Sequence, residues 1–195
     1  MVGPPGAGKG TQAKLLAAHY RISHLASGEL LRREVAAGTE TGRTVAGYLE
    51  RGDLAPEEVV LELLLPAIVG AARAGGYVLD GFPRTVRQAR AVHALARATG
   101  GVALQAVVHL RVSAPELRRR MLDRGSTAGR TDDTAEVIEH RLGLFHTETD
   151  AMLHFYEHRG LLLDVDGEQP VDAVFEEIVG SVDALVSRRS GEAGS

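Results

Sequence analysis

Gly3-Pro4-Pro5-Gly6-Ala7-Gly8-Lys9-Gly10-Thr11 has the composition of a phosphate cradle. Its glycines let backbone N–H groups turn inward and approach phosphate oxygens closely. An amphipathic stretch opens near Lys9, so the loop should end on the positive N-terminal end of a helix. Lys9 would reach the β- and γ-phosphates of a nucleotide, and Thr11 offers a hydroxyl near magnesium; the strict pattern has Ser or Thr directly after the lysine, and here Gly10 intervenes. The bland alternative is a glycine-rich turn. Lys9 and Lys14 are the only lysines among 22 basic residues, the rest being arginine. A lysine kept at position 9 suits a site that needs a compact ammonium, for which a planar guanidinium substitutes poorly.

Other residues could share that chemistry. Asp80 closes the apolar run Tyr77-Val78-Leu79 and precedes Gly81. An acid at the C-terminal end of a strand lies in the ligand crevice of an open α/β sheet, although aspartate also forms turns. Arg120 and Arg124 stand four apart and share one helix face, whereas Arg118 and Arg119 read as a solvated basic face. Arg130 stands just before the helix that carries Arg141. Either guanidinium could clamp a phosphate bidentately or form a surface ion pair with Asp132, Asp133 or a nearby glutamate. His154-Phe155-Tyr156-Glu157-His158 matches the metalloprotease pattern H-x-x-E-H. With eight histidines in the chain and no third ligand evident, it reads as a chance match.

The elements that must position these groups follow from the patterning. Strand-like runs are expected at 24–26, 77–79, 106–110 and 161–165, and helices at 9–20, 28–37, 41–51, 57–73, 85–98, 115–123, 134–157 and 171–186. Continuous apolar strands separated by helices predict a buried parallel sheet with helices on both faces. Ser27 is a plausible N-cap with Gly38 as the stop. Pro56 suits a first helical position ahead of Glu57 and Glu58, and Asp133 with Glu136 has capping-box spacing. Gly125-Ser126-Thr127-Ala128-Gly129 reads as a short flexible loop, and the polar end from Ser187 as a frayed tail.

Composition sets the outer bounds. A chain of 195 residues fits one domain and can bury roughly 70% of its unfolded surface. Hydrophobic residues at 44% and charged residues at 25% exclude general disorder. A net charge of −4 makes a poor non-specific nucleic-acid binder. No apolar run approaches the roughly 18 residues of a membrane span, and Met1-Val2-Gly3-Pro4-Pro5 lacks the features of a signal peptide, so a cytoplasmic protein is expected. Absent cysteine excludes disulfides, thiolate zinc sites and cysteine nucleophiles.

The loop, continued by Gln12, resembles nucleoside monophosphate kinases, and adenylate kinases most closely. Leu25-Ala26-Ser27-Gly28-Glu29-Leu30-Leu31-Arg32 looks like that family's first AMP-site helix. Asp80-Gly81-Phe82-Pro83-Arg84-Thr85 with Gln88 looks like its second signature. Arg120, Arg124, Arg130 with Asp132-Asp133, and Arg141 look like its lid and catalytic arginines, and Val165-Asp166-Gly167 like its last strand and the turn under adenine. These segments run in family order over nearly the whole chain. The resemblance implies an α/β P-loop fold with a parallel sheet: a core of 1–26, 56–123 and 134–187, an NMP-binding insertion at 27–55, a short lid at 124–133 and a disordered tail at 188–195.

It also implies reversible transfer of the terminal phosphoryl group of Mg-ATP to AMP, giving two ADP, by a monomer. Lys9, Arg84, Arg120, Arg124, Arg130 and Arg141 would be the catalytic cations. Gly6, Ala7, Gly8, Lys9, Gly10, Thr11, Arg120, Arg124 and Gln169 would bind ATP. Ser27, Arg32, Asp53, Leu54, Ala55, Gly81, Phe82, Pro83, Arg84, Gln88, Arg130 and Arg141 would bind AMP, Gln88 reading the adenine edge. Asp80 would hold a magnesium-bound water, with Thr11 as a second magnesium contact. The short lid and absent cysteine exclude the zinc-bearing lid of long-lid relatives.

Two alternatives stay open. In the related UMP/CMP kinases the position of Ser27 is usually alanine and that of Gln88 asparagine, so the residues here side with AMP. Adenylate kinases mostly have threonine and aspartate where Ser27 and Glu29 stand. The second alternative is an inactive nucleotide-binding remnant. Only Met1 and Val2 precede Gly3, where a buried strand of about five residues normally leads into such a loop. We expect the natural start to lie upstream, with Met1 an internal strand residue.

Overall fold

The computed structural model describes residues 1–98, 104–127 and 134–192. The four apolar runs form strands β1 (Ser23–Ala26), β2 (Tyr77–Asp80), β3 (Val107–Arg111) and β4 (Leu162–Asp166). All pairing is parallel: Leu25 lies opposite Leu79 in β1–β2, and Leu110 opposite Val165 in β3–β4. The expected sheet is present as two pairs, with Met1 and Val2 between them. Val2 bridges to His109, its N–H donating to Val108 O and its carbonyl accepting from Leu110 N. The Met1 nitrogen donates to Leu79 O at 2.7 Å. One bridging residue links the pairs without making a continuous ladder.

The helices are α1 (Lys9–Tyr20), α2 (Ser27–Ala37), α3 (Glu40–Arg51), α4 (Glu57–Arg73), α5 (Val86–Ala98), α6 (Ala114–Thr127), α7 (Ala135–Glu157) and α8 (Val171–Glu192). Gly38 ends α2 in the left-handed region, as expected. Five expectations are corrected at helix ends. Ser27 is the first residue of α2 rather than its cap, and its hydroxyl donates to Gly81 O at 3.0 Å and Asp80 O at 3.4 Å. Pro56 caps α4 instead of opening it. Thr134, not Asp133, caps α7, its hydroxyl accepting from Val137 N. Helix α6 continues through Gly125, Ser126 and Thr127, which were expected to loop, and α8 runs to Glu192, into the segment expected to fray. Near that end Arg189 donates to the carbonyls of Leu104 and Arg159, which ties α8 down.

Apolar side chains gather in three clusters. One joins Leu110 and Val165 of the strands to Leu16, Leu117, Met121 and Ile138, and so fixes α1, α6 and α7 around the loop. A second joins Leu31 and Val45 to Leu64 and Leu79, and so seats α2 and α3 on α4 and β2. The third packs Val2 and Val107 against Met152 and Tyr156 of α7. Beside it, His93 Nε2 and Tyr156 Oη are buried with no hydrogen-bond partner among the described residues. Burial, with a smaller contribution from nearby Arg159, holds the His93 pKa below its ordinary value.

The His93 shift fixes the sign of a pH effect. Below about pH 6.5 the unfolded chain takes up a proton that folded His93 resists. The stability contributed by neutral His93 is present above that pH and is lost as the pH falls through it toward the lower folded value. The urea midpoint of the wild type should therefore fall relative to that of His93→Leu between pH 7.5 and 5.5. A constant gap across that range would contradict the shift.

Candidate active site

The phosphate loop runs from Gly3 to Gly8 and enters α1 at Lys9. Gly6 and Gly8 adopt φ of 84° and 93°, in the left-handed region. A side chain on Gly6 would also meet Met121 Cγ at 3.0 Å and Leu117 O at 3.1 Å, so glycine is required there twice over. The first intrahelical bond runs from Gln12 N to Gly8 O. The N–H groups of Lys9, Gly10 and Thr11 precede it, and Gly8 provides no side-chain cap. Uncapped donors at a helix start form an anion site. The Lys9 ammonium donates to the carbonyls of Gly3 and Pro4, each at 2.8 Å, and so rests on the loop it serves.

Asp80 ends β2 directly beneath this loop: a Cβ placed on Gly10 would lie 3.3 Å from Asp80 Oδ2. His24 Nε2 approaches the same carboxylate at 3.6 Å. Thr11 lines the same cleft. A carboxylate and a hydroxyl beside a phosphate site are hard oxygen donors that suit magnesium, so these residues fit the ion.

Across the cleft lies a second cationic group. Gly81 turns with φ of 70°, and the cis peptide Phe82–Pro83 follows. Arg84 Nε donates to Gly81 O at 2.8 Å. Arg84 reaches the cleft surface yet is hemmed in by protein. That desolvation first, and then the charges of Arg141 and Arg32, lower its pKa, against the opposing pull of Asp80. Three guanidiniums within electrostatic reach of one another form a group that would suit an anion. Gln88 is buried, and its Oε1 accepts from Arg84 N at 2.7 Å. That oxygen keeps one lone pair and Nε2 keeps its donors, so a carboxamide reading of a base edge remains available.

The α2–α3 segment returns to the core at Gly52 and Asp53. Gly52 packs so tightly on α7 that a Cβ there would meet Val137 at 2.7 Å and Arg141 at 3.0 Å. Asp53 accepts from His140 at 2.6 Å and from Arg51 at 2.8 Å, and these two bonds hold its pKa below the usual carboxylate range.

One cleft of about 690 Å³ unites these parts. It is lined by Gly6, Ala7, Gly8, Lys9, Gly10 and Thr11, by Ser27, Arg32, Asp53, Leu54 and Ala55, by Asp80, Gly81, Phe82, Pro83, Arg84 and Gln88, and by Arg120, Arg141 and Gln169. Arg120 donates to Glu116 and to Gly167 O, and Gln169 Nε2 to Glu177. The backbone of Arg124 lies in α6, its side chain is outside the described residues, and Arg130 lies wholly outside them. Arg118 and Arg119 pair with Glu139, Glu116 and Asp123, as a solvated face would. His154 is exposed and pairs with Glu157. Among the described residues no group of three or more histidines and acids could hold a metal.

Sequence reasoning missed Leu144, Phe145, Glu148 and Thr149, which line the cleft from α7. They follow Arg141 at three, four, seven and eight residues, so helical spacing alone could have found them.

Comparison with known proteins agrees with this geometry. The adenylate kinase family profile matches residues 1–161. The chain belongs to the adenylate kinase family. It is 40% identical over 187 residues to an adenylate kinase of Caulobacter sp. (strain K31), covering 96% of each chain. It is 41% identical over 182 residues to an adenylate kinase of Micrococcus luteus, covering 93% of this chain and 88% of the relative. Adenylate kinase isoenzyme 1 of Cyprinus carpio is 37% identical over 186 residues, 95% of this chain and 93% of that one.

Gly167 packs closely between the end of β3 and the loop in this adenylate kinase fold. Its N–H donates to Arg111 O, its carbonyl accepts from Arg120, and a Cβ would stand 2.7 Å from Val112 and 3.4 Å from Ala7 O. Gly167→Ala should cost about 1–3 kcal/mol by overpacking and displace Arg120. Chemical denaturation would read the first effect and ATP affinity the second.

Proposed function

We propose that this protein transfers the γ-phosphoryl group of Mg-ATP to AMP, reversibly, giving two ADP. The observation that supports the reading is that one cleft is lined by two groups suited to anions. The phosphate loop with Lys9 forms one end, and Arg32, Arg84 and Arg141 form the other. An enzyme that joins two phosphorylated substrates needs that arrangement.

The attacking AMP phosphate oxygen is already anionic, so no general base is required. Catalysis is alignment and neutralisation of charge on the transferring group. The N–H groups of the loop and Lys9 hold the donor phosphates, with Arg120 beside Gly167. Arg84, Arg141 and Arg32 hold the acceptor phosphate in line with them. Gly81, Phe82, Pro83, Leu54 and Ala55 wall the nucleoside, Asp53 anchors that wall to α7, and Gln88 addresses the base. Gln169 borders the donor nucleotide. Thr11 and Asp80 are the groups that would hold magnesium, which when bound offsets polyphosphate charge. Residues 27–55 act as the NMP-binding insertion and 124–133 as a short lid bringing Arg124 and Arg130, excluding water on closure. The reading includes a monomer working in the cytoplasm.

The test is ADP formation with magnesium-ATP and either AMP or UMP. Turnover with AMP far above UMP is expected. A preference for UMP would favour the UMP/CMP-type alternative and overturn the argument from Gln88. Nucleotide binding without turnover would identify a remnant.

A further inference from the structure

We infer that Glu116, which lies outside the family-derived site residues, is a positioning residue for Arg120 in the ATP half of the site. The inference rests on the phosphotransfer reading. Arg120 has five N–H donors in a planar fork. Its Nε donates to Glu116 Oε1 at 2.7 Å and its Nη1 to Gly167 O at 2.9 Å. Two edges of the guanidinium are thereby fixed, one to its own helix and one to the turn after β4. Among the described residues its remaining donors have no partner and face a cleft that Arg120 lines.

A carboxylate beside a phosphate site would ordinarily repel the substrate. Here Arg119 offsets it: Arg119 Nε and Nη2 donate to Glu116 Oε2 and Oε1 at 2.8 and 2.7 Å, while Nη1 donates to Asp123. The two arginines hold the Glu116 carboxyl far below its ordinary range, at about 2, so the tether does not titrate near neutral pH. Glu116 thus holds Arg120 by geometry, with Arg119 sharing the same carboxylate. Long arginine side chains lose much rotamer freedom when ordered. A guanidinium fixed beforehand spares the donor phosphates that cost and keeps its alignment during transfer.

The test is a double-mutant cycle on the full chain, read by ATP affinity in titration calorimetry without AMP and by steady-state kinetics. Glu116→Ala should weaken ATP binding and lower kcat, each by about tenfold, with KM for AMP unchanged. Glu116→Asp should recover part of both. In an Arg120→Ala background, Glu116→Ala should have no further effect on ATP affinity. Wild-type ATP affinity in Glu116→Ala, or an equal loss in both backgrounds, would overturn the inference. Thermal melting of each variant separates a folding defect from lost positioning. If the wild type binds ATP but phosphorylates no AMP, the phosphotransfer reading fails, and the affinity cycle still decides the role of Glu116.

Discussion

Lys9→Arg should abolish turnover almost as completely as Lys9→Met. Each is expected to lower kcat by about three orders of magnitude, the upper range for removing one preorganised charge donor. The reasons lie in shape and in space. The ammonium sits between the carbonyls of Gly3 and Pro4, each at 2.8 Å. A planar fork is wider than an ammonium and presents its donors in one plane. The chain has 20 arginines and two lysines, so charge alone was available from arginine. Lys9→Met also removes two bonds within the loop, so some loss of stability is expected as well. The melting temperature would measure that separately, and only a collapse in kcat with folded protein supports the assignment. Turnover in Lys9→Arg within about tenfold of wild type would show that Lys9 does not contact the transferring group.

Arg84→Met should lower kcat/KM for AMP by about two to three orders of magnitude while leaving ATP affinity near wild type. Arg84 lines the same cleft as Arg32 and Arg141; burial first, and then the repulsion of those two charges, lowers its pKa. That repulsion predicts a second effect of opposite sign. With no anion bound, the folded state carries the strain of crowded cations, so the variant should melt at or above the wild-type temperature. Gain in stability with loss of activity is characteristic of residues placed for ligands rather than for folding. Added AMP should raise the wild-type melting temperature, since a ligand that binds only the folded state stabilises it, and should raise that of Arg84→Met much less. Equal stabilisation of both proteins by AMP would remove Arg84 from the acceptor site.

Much of this architecture is legible in the sequence, for physical reasons. Buried parallel strands are continuous apolar runs, so β1 to β4 fall within a residue or so of their expected places. The loop is legible because glycine is there for backbone geometry that other residues resist, as at Gly6 and Gly8. What sequence reasoning missed is of a different kind. Gly125 suggested a loop, but a single helical glycine costs only about 1 kcal/mol, and α6 continues past it. Ser27 reads equally well as a cap or as a tie. Only the fold shows its hydroxyl turned toward Gly81. The partnership of Glu116 with Arg120 was silent because glutamate and arginine four residues apart are common on solvated helices and mean little by themselves. It gains meaning once Gly167 is seen on the other edge of the same guanidinium. His140 and Asp53 are far apart in sequence and meet only because α3 returns to α7.

The most direct measurement is the fate of the γ-phosphoryl group. The protein would be mixed with magnesium-ATP labelled in the γ-phosphate and unlabelled AMP, and the products separated within the first turnovers. Phosphotransfer predicts that the label appears in the β-phosphate of ADP formed from AMP, with one unlabelled ADP left from ATP for each labelled one. Label released as inorganic phosphate, or retained in ATP while both nucleotides are bound, would contradict the account.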